Sequence, residues 1–473
     1  YSHVKEVTEE ELAEIERIPR RRPKVRSPLV RARDFGEVEA TLSREDALEE
    51  AYRCLSCGCM EAESCELRRL ATEYGVELRF IGERRRLKVD DRHPLIVRDP
   101  NKCVLCGLCV NLCGELRGVY ALGYAYRGFD TLIEPPFNIP LEEAGCESCG
   151  DCIAVCPTGA LYEKLPLRKQ APWRTEKVAT VCNGCSVGCE IVLEVVGGRV
   201  LKASAKLDSW NKGHLCRKGR FDRDFSLARR ITSRMVRING KLQTVGWREA
   251  LQRLKELAEE CNWDIGFLVS SKATLEEAEF IKELGFKTGA LVKGGISTAT
   301  VYDLEAAETI LVKAKLDNYP VVKVFVNKAL LRGARLVERV EELKGQAVAI
   351  VEEEKAVDGI PTVVLHPGAN AAGLLSMGYS SGVPKARMLI CYEEDLVGRG
   401  LWKGEKLVAV CSTWNETVEK AEVVLPKPSW EETSGTYLNS FGKIGRLKQA
   451  VPPLCGASSL EVIQRISEAL RHP

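Results

Sequence analysis

The sequence predicts a multidomain chain with α+β and α/β parts, and three observations carry that reading. Sixteen of its 20 cysteines fall in four close sets ahead of residue 217. Two of these sets repeat one spacing within about fifty residues, which marks a small module built twice over. From about residue 247 the pattern changes to amphipathic helical stretches alternating with short apolar runs, as a doubly wound sheet requires. At 473 residues the chain has room for several domains, and 45% hydrophobic residues suffice for packed cores.

Composition excludes several classes of function. Lys and Arg total 69 against 67 Asp and Glu, a formal net charge of +2, so no overall field favours nucleic acid or an anionic membrane. Partners must then be recognised locally. Cysteine density suggests disulfides in small secreted proteins, but clustered sets in a long chain without a signal peptide fit a reducing cytoplasm better. No apolar run approaches the ~18 residues that span a bilayer, so any membrane link is expected through other subunits. The chain begins at Tyr1 without methionine, which leaves room for native polypeptide upstream.

From Val4 to Arg33 the chain is charged and broken by prolines, with a basic run at Arg20, Arg21, Arg22, Lys24 and Arg26. A solvated strap is expected, with a docking arm on a partner subunit as the other reading. Ser43 then caps a helix with Asp46 at the capping-box position, and Ala47, Leu48 and Ala51 share one side as it runs into Cys54. The helix delivers the first of Cys54, Cys57, Cys59 and Cys65, an irregular set whose spacing alone leaves zinc open. The run DFGEVEATLSREDALEEAYRCLSCGC resembles the N-terminal cluster-binding segment of the glutamate synthase small subunit and related NAD(P)H flavoproteins. That resemblance implies a 4Fe-4S cluster beside an FAD and NAD(P)H domain. No GxGxxG follows a strand in the first hundred residues, so the flavin is expected upstream, on another subunit, or nowhere.

The repeated pattern is Cys103-x2-Cys106-x2-Cys109-x3-Cys113 and Cys146-x2-Cys149-x2-Cys152-x3-Cys156, closed by Pro157. It resembles the bacterial ferredoxin signature, in which the fourth cysteine serves the other cluster. The resemblance implies one 4Fe-4S centre on Cys103, Cys106, Cys109 and Cys156 and another on Cys146, Cys149, Cys152 and Cys113. The fourth cysteine is expected to start a helix leading to the neighbouring cluster. Two zinc knuckles are the plainer alternative, though zinc sites rarely run four cysteines at this spacing twice. Gly107 and Gly150 are expected to let backbone N–H groups approach cluster sulfurs. Gly114 stands where the family usually has proline, which leaves that helix start less fixed. Between the motifs, GVYALGYAYRGFDTLIEPPFNIPL suits short strands, and Tyr120, Tyr124, Tyr126 and Phe129 read as core packing rather than an electron relay. After TGALYEK, the stretch from Lys164 to Lys177 reads as a linker.

A fourth set, Cys182-x2-Cys185-x3-Cys189, is joined after 26 residues by Cys216 in GHLCRKGRF. With WREAL at Trp247 to Leu251 it resembles the N-terminal cluster domain of the molybdopterin oxidoreductases, which include formate dehydrogenases and the large iron–sulfur subunit of complex I. The bare spacing tolerates zinc. In molybdenum members the lysine matching Lys218 sits between cluster and pterin; its plainer role is to tune the cluster and pair locally.

Buried strands are expected at 265–270, 309–314, 321–326, 347–351, 387–392 and 407–411, with a helix begun by Thr274 and Glu277 after the first. The runs DLEAAETILV, GANAAGLLSMG and KAEVVLPKPSWEETSGTYLN resemble, in that order, the α/β core of the same family. After TILV the family turns through small residues to receive a pterin nucleotide, whereas this chain has Lys313, Ala314, Lys315, Leu316 and Asp317. About 255 residues follow Cys216, roughly half of a working molybdenum subunit. No Mo/W-pterin is therefore expected. Cys261, Cys391 and Cys411 read as buried structural thiols, and Cys455 as exposed.

The expected organisation is 1–80 as arm and glutamate-synthase-like segment, 81–171 as two-cluster ferredoxin-like domain, 172–230 as small Fe–S domain, and 231–473 as cofactor-free α/β scaffold. Together these resemble the complex-I-type large iron–sulfur subunits of soluble hydrogenases, formate dehydrogenases and electron-bifurcating enzymes, without their usual 2Fe-2S domain. The resemblance implies four 4Fe-4S clusters, no catalytic residue on this chain, and relay of electrons from a flavin/NAD(P)H subunit, FAD or FMN being on that partner or upstream. A hydrogenase, formate dehydrogenase or ferredoxin is expected at the other end. The alternatives are a short molybdenum- or tungsten-pterin formate dehydrogenase and a zinc-bound scaffold.

Overall fold

The computed structural model describes residues 18–52, 65–76, 87–164, 175–221 and 230–471. Cys54, Cys57 and Cys59 lie outside these residues, as do residues 4–17 of the expected arm and 165–174 of the expected linker. The helix Arg44–Tyr52 starts where its capping chemistry places it: Asp46 N donates to Ser43 Oγ at 3.1 Å. Its apolar residues Leu48 and Tyr52 are exposed, and Arg21 of the basic run pairs with its acidic side through Glu49.

Four short strands, β1 (Ile96–Arg98), β2 (Gly123–Ala125), β3 (Leu132–Glu134) and β4 (Leu161–Glu163), form two antiparallel ribbons, β1 with β4 and β2 with β3. Ile96, Leu112, Ala121, Leu122, Ile133, Leu141 and Leu161 are buried between the ribbons and the thiols of the double motif. The aromatics expected in this core are on its surface instead, Tyr120 at 67% and Phe129 at 103% exposure, with Tyr124 and Tyr126 also exposed. A two-stranded ribbon buries one face only, and here the small residues Gly123 and Ala125 turn inward while Tyr124 turns out.

β5 (Glu176–Val181), β6 (Glu190–Val196) and β7 (Arg199–Ala205) make a three-stranded antiparallel sheet. Alternate residues of β6 are buried, so one face packs and the other is wet. β6 returns into β7 through Gly197 and Gly198, both at positive φ (55° and 72°), as a two-residue hairpin of the primed type needs.

Beyond residue 230 the chain builds two sheets. The larger contains β8 (Arg234–Ile238), β9 (Lys241–Val245), β10 (Ile265–Val269), β11 (Lys287–Ala290), β16 (Ser380–Ser381), β17 (Met388–Tyr392), β18 (Lys406–Cys411) and β19 (Val423–Pro426). Its order is 16-11-10-17-18-19-8-9, parallel up to β19 and closed by the antiparallel β8–β9 hairpin. The smaller is parallel, order 13-12-14-15, from β12 (Thr309–Val312), β13 (Arg335–Val337), β14 (Ala347–Glu352) and β15 (Thr362–Leu365). A last hairpin, β20 (Gly435–Leu438) with β21 (Ile444–Leu447), packs over β5. The central strands are buried on both faces, hence their continuous apolar runs. The helix Leu275–Glu283 starts at Thr274 in a capping box with Glu277, and Trp247–Glu260 begins the region with Ala250, Leu254, Leu257 and Ala258 buried.

The run at 321–326 is not a strand. It lies in the helix Pro320–Leu331, with Val321, Val322, Val324, Phe325 and Val326 all buried. A short apolar run reads alike for a buried strand and a helix packed on several sides, and Pro320 at the first helical turn decides for the helix. This helix also carries the double-motif module, because Asn327 Nδ2 donates to Leu116 O at 2.9 Å and Arg117 Nη1 to Pro320 O at 3.3 Å. Phe325 stacks on Trp210 at 6.2 Å between centroids and is fully buried. Phe325→Ala is expected to cost about 3–5 kcal/mol by leaving a cavity at this junction, measured by denaturant unfolding. Cys261, Cys391 and Cys411 are buried. Cys455 is buried too, against expectation, because its Sγ packs toward Ala457 O at 3.3 Å ahead of the helix Ser459–Ala469.

Candidate cluster sites and an adjoining cavity

The two copies of the double motif share one backbone. Leu105 and Ser148, third in each copy, sit at positive φ (56° and 54°), and Gly107 and Gly150, fifth in each, do likewise (75° and 71°). Each loop points an N–H at its first cysteine: Leu105 N is 3.4 Å from Cys103 Sγ and Ser148 N is 3.4 Å from Cys146 Sγ. The set from Cys182 to Cys216 repeats the contact, from Gly184 N to Cys182 Sγ at 3.3 Å. Successive N–H groups turned inward form a concavity for negative charge, the kind that suits thiolate-bound iron–sulfur centres. A Cβ at Gly107 and Gly150 would collide with Tyr124 Oη at 2.3 Å and Arg220 Cδ at 2.2 Å, so each admits a neighbouring side chain.

The helices differ from expectation. They begin one residue before the third cysteine, Leu108–Asn111 and Asp151–Val155, each capped by its left-handed glycine. Cys156 ends its helix ahead of Pro157, while Gly114, lacking proline's block, lets the first continue through a widened turn over Leu112–Leu116.

Three sets of four thiols each line a cavity: Cys103, Cys106, Cys109 and Cys156 the first, Cys113, Cys146, Cys149 and Cys152 the second, Cys182, Cys185, Cys189 and Cys216 the third. Tetrahedral zinc draws its sulfurs to about 2.3 Å from one point. Among the described residues no group of three or more His, Cys, Asp or Glu converges that way. Burial pushes Cys109, Cys149 and Cys185 up to about 12, and Cys152, Cys182 and Cys189 rise further for the same reason. Thiols so enclosed keep their protons until a metal displaces them. Cys106 is the exposed member. Cys65 is buried at the start of the helix Glu66–Glu73, and its Sγ lies 3.9 Å from Pro157 O, one residue past Cys156.

The second and third cavities are joined by a buried charge network that sequence reading did not find. Asp151, beside Gly150 and Cys152, accepts from Arg117, from Leu215 N at 3.1 Å, and pairs with His214 Nδ1 at 2.8 Å. Arg220 donates to Cys149 O at 2.9 Å and lies 3.5 Å from Asp151. Asp151 and Arg117 are each 1% exposed. Burial opposes the charge on Asp151, but Arg117, His214 and Arg220 outweigh it and hold the carboxyl well below the usual range. Leu215 precedes Cys216, so one carboxylate ties the walls of both cavities. The sequence signal, an aspartate inside the second motif, has no counterpart at Leu108 in the first.

The third loop is also stitched to the smaller sheet. His366 N, just past β15, donates to Ser186 Oγ at 2.8 Å, and Ser186 N donates to His366 O at 3.1 Å. Burial lowers the His366 imidazole from its ordinary value of 6.5, in spite of the contact with Gly295 O. A lowered histidine stabilises the fold above its unfolded value, and that contribution is lost as pH falls toward the folded one. The melting temperature is therefore expected to decline as pH drops below about 6.5, and His366→Gln to flatten the decline.

Lys218 separates the third cavity from a larger one of about 340 Å³, and lines both. The larger cavity also meets Cys182, Lys272, Glu277, Glu393, Lys427 and Ser429. Lys427 is buried, 3.5 Å from Glu277 Oε1 and over the Tyr392 ring at 5.0 Å. Burial opposes its charge, but Glu277 and Glu393 outweigh it and raise the ammonium above an ordinary lysine. Lys218 makes no ion pair with another described residue, and its neighbours Asp222 and Asp224 lie outside the described residues.

At the turn after β12, where a pterin nucleotide would rest, Glu352 Oε2 accepts from Lys315 N at 3.2 Å and Glu352 Oε1 from Tyr319 Oη at 3.0 Å. The Glu352 carboxylate is thus tied to the turn's own donors.

Comparison with known families agrees with this geometry. Residues 93–162 match the family described as NADH-quinone oxidoreductase subunit 3, ferredoxin-like domain; 175–226 match the molybdopterin oxidoreductase Fe4S4 domain; 333–469 match molybdopterin oxidoreductase. The chain thus combines two kinds of iron–sulfur domain with a molybdopterin-oxidoreductase-like α/β region. Among curated proteins, an NADH-quinone oxidoreductase subunit of Rhizobium meliloti is 35% identical over 204 residues, 42% of this chain and 23% of that protein. NADPH-Fe(3+) oxidoreductase subunit alpha of Geobacter sulfurreducens is 39% identical over 149 residues, 32% and 17% of the two chains. NADH-quinone oxidoreductase subunit 3 of Thermus thermophilus is 30% identical over 276 residues, 54% and 34%. The matched stretches span about a third or less of these relatives. Acetylene hydratase from Pelobacter acetylenicus aligns over 62% of this chain and 69% of its own at 12% identity, TM-score 0.43.

Proposed function

We propose that this chain is an iron–sulfur electron-relay subunit of a multi-subunit NAD(P)H-linked oxidoreductase of the cytoplasm. It holds four 4Fe-4S clusters: on Cys54, Cys57, Cys59 and Cys65; on Cys103, Cys106, Cys109 and Cys156; on Cys113, Cys146, Cys149 and Cys152; and on Cys182, Cys185, Cys189 and Cys216. A flavin subunit stands at one end and a hydrogenase, formate dehydrogenase or ferredoxin at the other, with electron bifurcation as the favoured version. The chain itself converts no substrate, and its α/β region is a scaffold without pterin.

The observation that carries this reading is the serial arrangement of three four-thiol cavities. Cys65 abuts Pro157 beside the first, the crossed motif joins first to second, and Asp151 joins second to third. When bound, a 4Fe-4S cluster supplies a one-electron centre whose potential, roughly -700 to +450 mV across proteins, depends on hydrogen bonds and solvent access. This chain's residues set both. Leu105, Ser148 and Gly184 aim N–H groups at sulfur, and exposure runs from buried Cys109 and Cys189 through half-buried neighbours to exposed Cys106.

The competing reading, a short molybdenum- or tungsten-pterin formate dehydrogenase, draws on the cavity behind Lys218. Metal analysis of anaerobically purified protein decides between them. About 16 Fe with matching acid-labile sulfide, and no Mo or W, is expected. Stoichiometric Mo or W with pterin would sink the relay reading, and colourless, sulfide-free protein would favour a zinc scaffold.

A further inference from the structure

The larger cavity is a built polar chamber that the relay does not use. Of its two carboxylates, only Glu277 keeps an oxygen without a hydrogen bond, Oε1. Glu277 Oε2 accepts from Thr274 N at 2.9 Å and Oε1 faces Lys427, while Glu393 accepts from Ser412 N at 2.8 Å and from the Ser412 hydroxyl. The cations are not so committed. Lys218 and Lys272 stand exposed on its rim, and neither has a carboxylate within ion-pairing distance among the described residues. Inside, Ser429 is 3% exposed and its hydroxyl has no hydrogen-bond partner. Against that one carboxylate oxygen, which Lys427 faces, stand two ammonium groups at the mouth that pair with no described carboxylate and an unused buried hydroxyl, so donors outnumber acceptors.

We propose that this cavity binds an oxyanion, a phosphate- or carboxylate-bearing metabolite small enough for about 340 Å³, held by Lys218 and Lys272 with Ser429 donating from within. The cavity and the third thiol set share Cys182, Gly184, Lys218 and Gly219. Bound negative charge therefore sits against that set and favours its more oxidised state, which makes the site a regulator of the relay's last step. This regulatory part rests on the relay reading; the binding itself does not.

The test is calorimetric titration of the anaerobically purified full chain with inorganic pyrophosphate and, separately, succinate. One saturable site is expected for at least one of them, and which one assigns the phosphate or the carboxylate class. Lys272→Gln and Lys218→Gln should each weaken binding about tenfold, close to the loss of one charge-assisted contact, while Lys420→Gln on the surface should bind as the parent does. Melting temperatures identify any variant that has misfolded, and the second lysine then serves. No saturable heat with either anion, equal binding by both well-folded variants, or a pterin retained in the chamber would overturn the proposal. A redox titration followed by electron paramagnetic resonance then addresses regulation: the potential of one cluster should fall when the anion binds. Binding without that fall removes the regulatory role and leaves the site.

Discussion

Replacing Arg117 with methionine is expected to destabilise the chain by about 3–5 kcal/mol, because it strips the main counter-charge from a buried carboxylate. Asp151 would keep His214 at 2.8 Å and Arg220 at 3.5 Å, but the guanidinium that also donates to Leu215 O and Pro320 O would be gone. Three parts of the chain meet at that side chain. The loss should show as a lower denaturant midpoint and, in purified protein, as iron depleted from the second and third sites together. Arg117→Met with Asp151→Asn removes both charges and should recover part of the stability, since paired removal is far less costly than orphaning one partner. Equal stability of Arg117→Met and the parent would show that His214 and Arg220 suffice.

Changing Cys109 to serine is expected to break the relay with little cost to the fold. The thiol lies in the first cavity's wall with Cys103 and Cys156, and the substitution conserves its size. Iron should fall from about 16 to about 12 per chain. In the assembled complex the flavin half-reaction should persist while reduction of the distal acceptor stops. If both continue unchanged, the first site is off the path.

Much of this organisation is legible in the sequence because its signals are local. Cysteine spacing groups thiols that line common cavities, Ser43 with Asp46 and Thr274 with Glu277 mark helix starts, and apolar runs mark β10, β12, β14, β17 and β18. What the sequence hides is long-range. Arg117 finds Asp151 34 positions away, and Leu215 finds Asp151 64 away, so no window of ordinary length contains the pair. Lys427 and Glu277 lie on different elements of the larger sheet region, and only folding makes them one chamber wall. The outward aromatics and the helix at 320–331 misled for another reason: apolar composition does not say which side of a ribbon is covered, or whether a short run is packed on two faces or all round.

The placement of Asp151 also bears on whether the chain can be divided. A cut between residues 164 and 175 would follow the sequence boundary, yet it would leave Asp151 on one fragment and His214, Leu215 and Arg220 on the other. The fragment 87–164 would then carry an acidic group and Arg117 shaped for an absent surface, and the fragment from 175 would lose the partner that covers the Pro320–Leu331 helix. The modules therefore share one contact surface whose two sides depend on each other. Gene fusion could assemble them once, but recombination between them afterwards would have to replace both sides of that contact together.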